Sequence, residues 1–105
     1  MAIYTFFMDY QGGTYICQKA AGDLRTACFA WKEDVVSGGY VPDLNLKSFS
    51  KAFAEDIDEI PPVPLDEVRN VWLFHLMLGG DMLDLHIVQT DTETVGAETR
   101  KVSFV

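Results

Sequence analysis

Two Gly-Gly pairs, each set between runs of β-forming residues, restrict this chain more than any other feature. The first lies in "AIYTFFMDYQGGTYICQKA" (2–20) and the second in "VWLFHLMLGGDMLDLHIV" (71–88). Glycine reaches positive φ without steric cost, and the primed two-residue turns that join antiparallel strands require it. A turn at Gly12-Gly13 sets Tyr10 opposite Tyr15 and Met8 opposite Cys17. One face then carries Tyr4, Phe6, Met8, Tyr10, Tyr15 and Cys17, a core face. The other carries Ile3, Thr5, Phe7, Asp9, Gln11, Thr14, Ile16 and Gln18 and is mixed, because strand side chains alternate with a period of two.

The second pair follows the same logic. An even-length turn places Trp72, Phe74, Leu76, Leu83, Leu85 and Ile87 on a wholly apolar face. Val71, Leu73, His75, Met77, Met82, Asp84, His86 and Val88 share the opposite one. A Gly79-Gly80 turn opposes His75 to Asp84, whereas a Gly80-Asp81 turn opposes His75 to His86. The first half of this hairpin has a competing signature: Pro64 suits a first helical position, Asp66 and Glu67 a first helical turn, and Gly79 a helix end. The alternating "MLDLHIV" beyond the glycines needs a strand partner, and this favours a strand before them over a helix within 66–78.

Between the hairpins the period changes to that of a helix. In "GDLRTACFAWKEDVVSGG", Asp23 is an N-cap, Leu24, Ala27, Cys28, Trp31 and Val35 form one stripe, and Gly38 follows the end. A second helix starts at Asn45 as N-cap, with Leu46, Phe49, Phe53 and Ile57 on its stripe. The prolines of "IPPVPL" then act as a stiff connector. The expected fold is α+β: an antiparallel sheet of two β-hairpins with two intervening helices packed on one face, β-β-α-α-β-β, in a single domain over 1–105. The segment from about residue 90 is polar until Val102 and Phe104, and ends either as a short added strand or loose. Its final Ser-Phe-Val also matches the pattern that carboxylate-capturing, β-augmenting domains bind.

Composition limits function. Lys and Arg number 8 against 16 Asp and Glu, a net charge of −8. Such a chain repels phosphate backbones and anionic lipid, so direct nucleic-acid binding and membrane binding are not expected. The first ten residues lack a basic region, a long apolar stretch and a small-residue cleavage site, so no signal peptide is expected. "VWLFHLML" is too short to span a bilayer. Cys17 and Cys28 lack CxxC spacing and read as two buried thiols in a reducing cytoplasm, with a redox pair as the alternative.

Three readings of function follow. If helices cover one sheet face, then Phe7, Ile16, Leu73, Met77, Met82 and Val88 are left on the other, a patch that a second copy of the chain would cover. This gives a small acidic protein-binding or regulatory module acting as a homodimer, in which Glu55, Asp56, Asp58 and Glu59 of "AEDIDEIPP" offer a patch to a basic protein. Alternatively, His75, Asp84 and His86 supply two imidazoles and a carboxylate, a set that can bind zinc or another transition metal or do acid-base work. No HExxH, P-loop or GxSxG motif accompanies them. The third reading is a structural protein whose partner is only itself.

The segment "YTFFMDYQGGTYICQ", followed by a helix carrying Trp31, resembles small uncharacterised bacterial proteins that open with such a hairpin and helix. The resemblance spans the first third of the chain and implies no activity. The same β-β-α order is similar to the start of HicB-type antitoxins. Their Pro-Asp-Leu-Pro-Gly signature is missing from the sheet, and Pro42-Asp43-Leu44 comes after the helix instead, so no functional residue is carried over.

Overall fold

In the computed structural model, which describes residues 1–92, strand β1 (Ala2–Tyr10) pairs antiparallel with β2 (Gly13–Ala21), Tyr10 against Gly13. The turn is therefore Gln11-Gly12, with φ of 49° and 80°, one residue earlier than Gly12-Gly13. Met8 faces Tyr15 and Phe6 faces Cys17, a shift of two in partner that leaves every side chain on its expected face. The reason is a division of labour. Gly12 supplies the left-handed backbone, while Gly13 makes room for the Tyr15 ring, whose hydroxyl would lie 2.8 Å from a Cβ at position 13. Gln11 is stabilised in turn by its side-chain amide, which donates to Asp81 Oδ2 at 2.9 Å and ties the tips of the two hairpins together.

Helix α1 (Leu24–Gly38) starts where the Asp23 carboxylate accepts from the Thr26 amide at 2.7 Å, and stops at Gly39 in the left-handed region, so that Gly38 is its last residue. Helix α2 (Leu46–Glu59) starts where Asn45 Oδ1 accepts from the Ser48 amide at 3.0 Å. Their stripes bury Ala27, Cys28, Trp31 and Val35 on α1 and Phe49, Phe53 and Ile57 on α2. Leu24 is half-buried and Leu46 lies exposed at the start of its helix.

The proline connector contributes a strand of its own. Val63–Pro64 form β3, paired with Leu73 and Trp72 of β4 (Val71–Leu78). A proline lacks the amide that an inner strand needs, which suits it to this edge. Residues 66–70 turn, with Glu67 and Asn70 at positive φ, and the helical alternative for 66–78 is not adopted. The alternating exposure of β4, with Phe74, Leu76 and Leu78 buried and His75 and Met77 exposed, shows why: each face of this run meets a different environment. β5 (Asp81–Thr92) completes the second hairpin around Gly79-Gly80 and carries the chain two residues past position 90 as strand. The readings of the remaining tail, including Ser-Phe-Val, lie outside the described residues.

The sheet has five strands rather than four, in the order β2-β1-β5-β4-β3, and every neighbouring pair is antiparallel. The fold is α+β, with the two hairpins joined through β1 and β5. α1 packs over β2 and β1, and α2 over β4. Trp31 is the central tenon: it stacks on Phe6 at 6.0 Å between ring centroids and meets Phe49 edge-on at 5.5 Å. Tyr4, Phe6, Met8, Phe74, Leu76, Leu83, Leu85 and Ile87 form the sheet side of this core. No helix among the described residues is long and apolar enough to cross a membrane.

Candidate functional site: the uncovered sheet face

Both helices occupy one side of the sheet, so the opposite face is built by odd positions of β1 and β4 and even positions of β2 and β5. The register aligns them in rows. One row runs Ile16, Phe7, His86, Leu73, Val63 across all five strands. Beside it lies Gln18, Thr5, Val88, Val71, and on its other side Thr14, Asp9, Asp84, His75. Met77 faces Met82 nearest the turn. Phe7, Ile16, Leu73, Met77, Met82 and Val88 thus share one surface. Ile16, Met77, Met82 and Val63 are well exposed, Ile16 at 62%, whereas Phe7, Leu73 and Val88 are half-buried among their sheet neighbours.

The polar groups of this face are arranged in pairs. Thr5 Oγ1 lies 2.8 Å from Thr90 Oγ1 and accepts from the Gln18 amide at 2.9 Å, which satisfies the hydroxyl of a buried residue. Asp9 and Asp84 stand directly opposite one another on β1 and β5, an arrangement that is repulsive on its own. Each carboxylate has its own donor on the outer side: Thr14 Oγ1 donates to Asp9 at 2.6 Å, and His75 Nδ1 lies 2.6 Å from Asp84 Oδ1. A carboxylate oxygen accepts, so the Nδ1–H of His75 is the donor of this bond.

The structure therefore brings His75 and Asp84 together, in the register of the Gly79-Gly80 turn, and sets His86 one row away between Phe7 and Leu73. Among the described residues, no group of three or more His, Cys, Asp or Glu side chains is placed to hold a metal ion. The His75–Asp84 pair can orient an imidazole, but it stands on an open face, with His75 itself exposed. A concavity of about 260 Å³ lies elsewhere, lined by Leu24, Arg25, Ile57, Asp58, Pro61 and Pro62. Asp9, the neighbour that makes the polar row doubly acidic, was not a candidate from sequence, because only the pairing of β1 with β5 reveals it.

The acidic cluster is divided by the fold. Glu55, Asp56, Asp58 and Glu59 do fall in the last turns of α2. Asp58, however, receives Arg25 at both oxygens, 3.2 Å from Nε and 3.3 Å from Nη2, and the same guanidinium lies 4.7 Å from the centre of the Phe29 ring. The two cysteines are both free. Burial pushes the Cys28 thiol up to about 12, and it raises the half-buried Cys17 too, with Asp34 adding and Lys19 opposing.

No family model, curated protein or solved structure matches this chain.

Proposed function

We propose that the protein is a small acidic interaction module that works as a homodimer, with the uncovered sheet face as its interface. The observation that carries this reading is the row Ile16, Phe7, His86, Leu73, Val63 across all five strands, with Met77 and Met82 beyond the neighbouring polar row, on a face that no described element covers. A row with four large apolar side chains spanning a whole sheet is rarely left in water by a soluble monomer. Five strands at a spacing of about 4.8 Å and eight residues at about 3.3 Å make a plane of roughly 24 by 26 Å. That is of the same order as the footprint of a standard interface, which buries about 800 Å² per partner. A two-fold axis lets one such surface cover its own copy. Free thiols, one of them held protonated by burial, suit a reducing compartment such as the cytoplasm.

The test is sedimentation velocity of the untagged protein beside Met77→Asp. Met77 is 55% exposed on the face opposite the core, so the substitution spares the core, and a carboxylate there opposes stacking of two faces. The expected result is an associated parent and a variant of half its mass or less. A parent that stays monomeric at high concentration overturns the reading.

A further inference from the structure

The sheet has two edges, and they differ. On one side, β3 is two residues long and half proline. On the other, β2 runs for nine residues in unbroken register with β1, contains no proline and no carboxylate, and has no strand beyond it among the described residues. Its one charge, Lys19, is directed to Asp34 of α1 at 3.1 Å. Proteins commonly blunt long regular edges with charges, prolines or bulges, because the unpaired backbone groups are a template for another strand. Of these devices β2 carries only Lys19, whose ammonium is held by Asp34.

Hairpin geometry fixes which groups are unpaired. Tyr10 and Gly13 close a two-residue turn, so they exchange both backbone hydrogen bonds, and bonded and non-bonded pairs alternate from there. The amides and carbonyls of Thr14, Ile16, Gln18 and Ala20 consequently point outward from the sheet.

From this edge we infer a second self-association surface: β2 pairs antiparallel with β2 of another copy, about a two-fold axis perpendicular to the sheet. A second copy is the fitting occupant: although each molecule carries a net charge of −8, this strand has no carboxylate, so two copies meet along it without opposing acidic side chains, and its four outward residues complement themselves. Only one register gives all four outward residues a partner, with Thr14 facing Ala20 and Ile16 facing Gln18 of the other copy. It puts Cys17 on the axis, in a non-bonded pair whose Cα atoms are about 4.5 Å apart, within the range a disulfide spans.

The axis keeps both helical layers on one side and both uncovered faces on the other. Edge pairing therefore doubles the face proposed above as the dimer interface, and two such pairs stack into a closed tetramer. The tetramer rests on that reading; the edge contact does not.

Sedimentation velocity on four proteins tests both contacts: the parent, Met77→Asp on the face, Gln18→Pro on the edge, and the double variant. Proline at position 18 removes an outward amide and none that bonds to β1. Ala20→Pro does the same and keeps the Gln18 amide from which Thr5 Oγ1 accepts, should Gln18→Pro not fold by circular dichroism. The expected masses are tetramer, dimer, dimer and monomer, and mild oxidation links the Met77→Asp dimer covalently unless Cys17 is replaced by Ser. If neither proline variant lowers the mass while Met77→Asp does, the edge inference is overturned and the face reading stands. If a proline variant lowers it and Met77→Asp does not, the edge stands and the face reading falls.

Discussion

At the scale of single residues, the fold depends on positions where backbone or desolvation leaves little choice. Gly12 and Gly13 are adjacent and do different things. A side chain at Gly12, φ 80°, is strained whatever room it has, at about 1–2 kcal/mol for a left-handed residue. A Cβ at Gly13 meets only the outer atoms of the Tyr15 ring, which can swing aside. Gly12→Ala is expected to lower the free energy of unfolding by about 1 kcal/mol or more, and Gly13→Ala by less, as read from urea titrations of the two variants.

The thiols and phenols set the alkaline limit. Burial is the largest cause of the raised values of Cys17, Cys28, Tyr4, Tyr10 and Tyr40. All of these groups ionise to anions, so the folded state holds their protons more tightly than the unfolded chain does. The stability this confers is complete below the unfolded thiol value near 9 and is lost as pH rises from there towards about 12, the folded value of Cys28. The urea midpoint should fall steadily above about pH 9, and fall less steeply in Cys28→Ala. A midpoint that is flat to about pH 11 in the parent contradicts this account.

Among elements, Trp31 joins both helices to the sheet through Phe6, Phe49 and Phe53. Removing so large a buried ring leaves a cavity that its neighbours cannot close, and Trp31→Ala should cost about 3–5 kcal/mol of unfolding free energy in denaturant titration. This joint was legible in the sequence, as were the hairpins, both N-caps and the apolar stripes, because each follows from a local period or a capping side chain. What escaped the sequence is what depends on distant pairing. Nothing local to Asp9 or Asp84 signals that β1 lies against β5. The rows of the uncovered face, and the facing of the two carboxylates, exist only once that contact forms. The first turn was misplaced because two glycines offer two turns, and the choice rests on Gln11 and the Tyr15 ring rather than on glycine itself. β3 was missed because three prolines read as a connector, although an edge position tolerates one.

For the whole molecule, like charge on the uncovered face opposes the association proposed for it. Over residues 1–90, the ionisable side chains there are Asp9 on β1, His75 on β4, and Asp84 and His86 on β5; β2 and β3 present none. Asp9 and Asp84 stand opposite one another, and a face-to-face dimer brings two such pairs towards each other. A close like-charge pair near a surface costs from about 1 to about 4 kcal/mol. Relief of even the smaller amount tightens association roughly fivefold to tenfold. Asp9→Asn keeps the oxygen that accepts from Thr14 and removes one carboxylate from each face, so sedimentation equilibrium at low salt should show this tightening. Added salt should narrow the gap between parent and variant, because it screens exposed charges. A dimer that Asp9→Asn leaves unchanged or loosens would mean that these carboxylates do not meet their copies across the interface, and would move the contact to another surface.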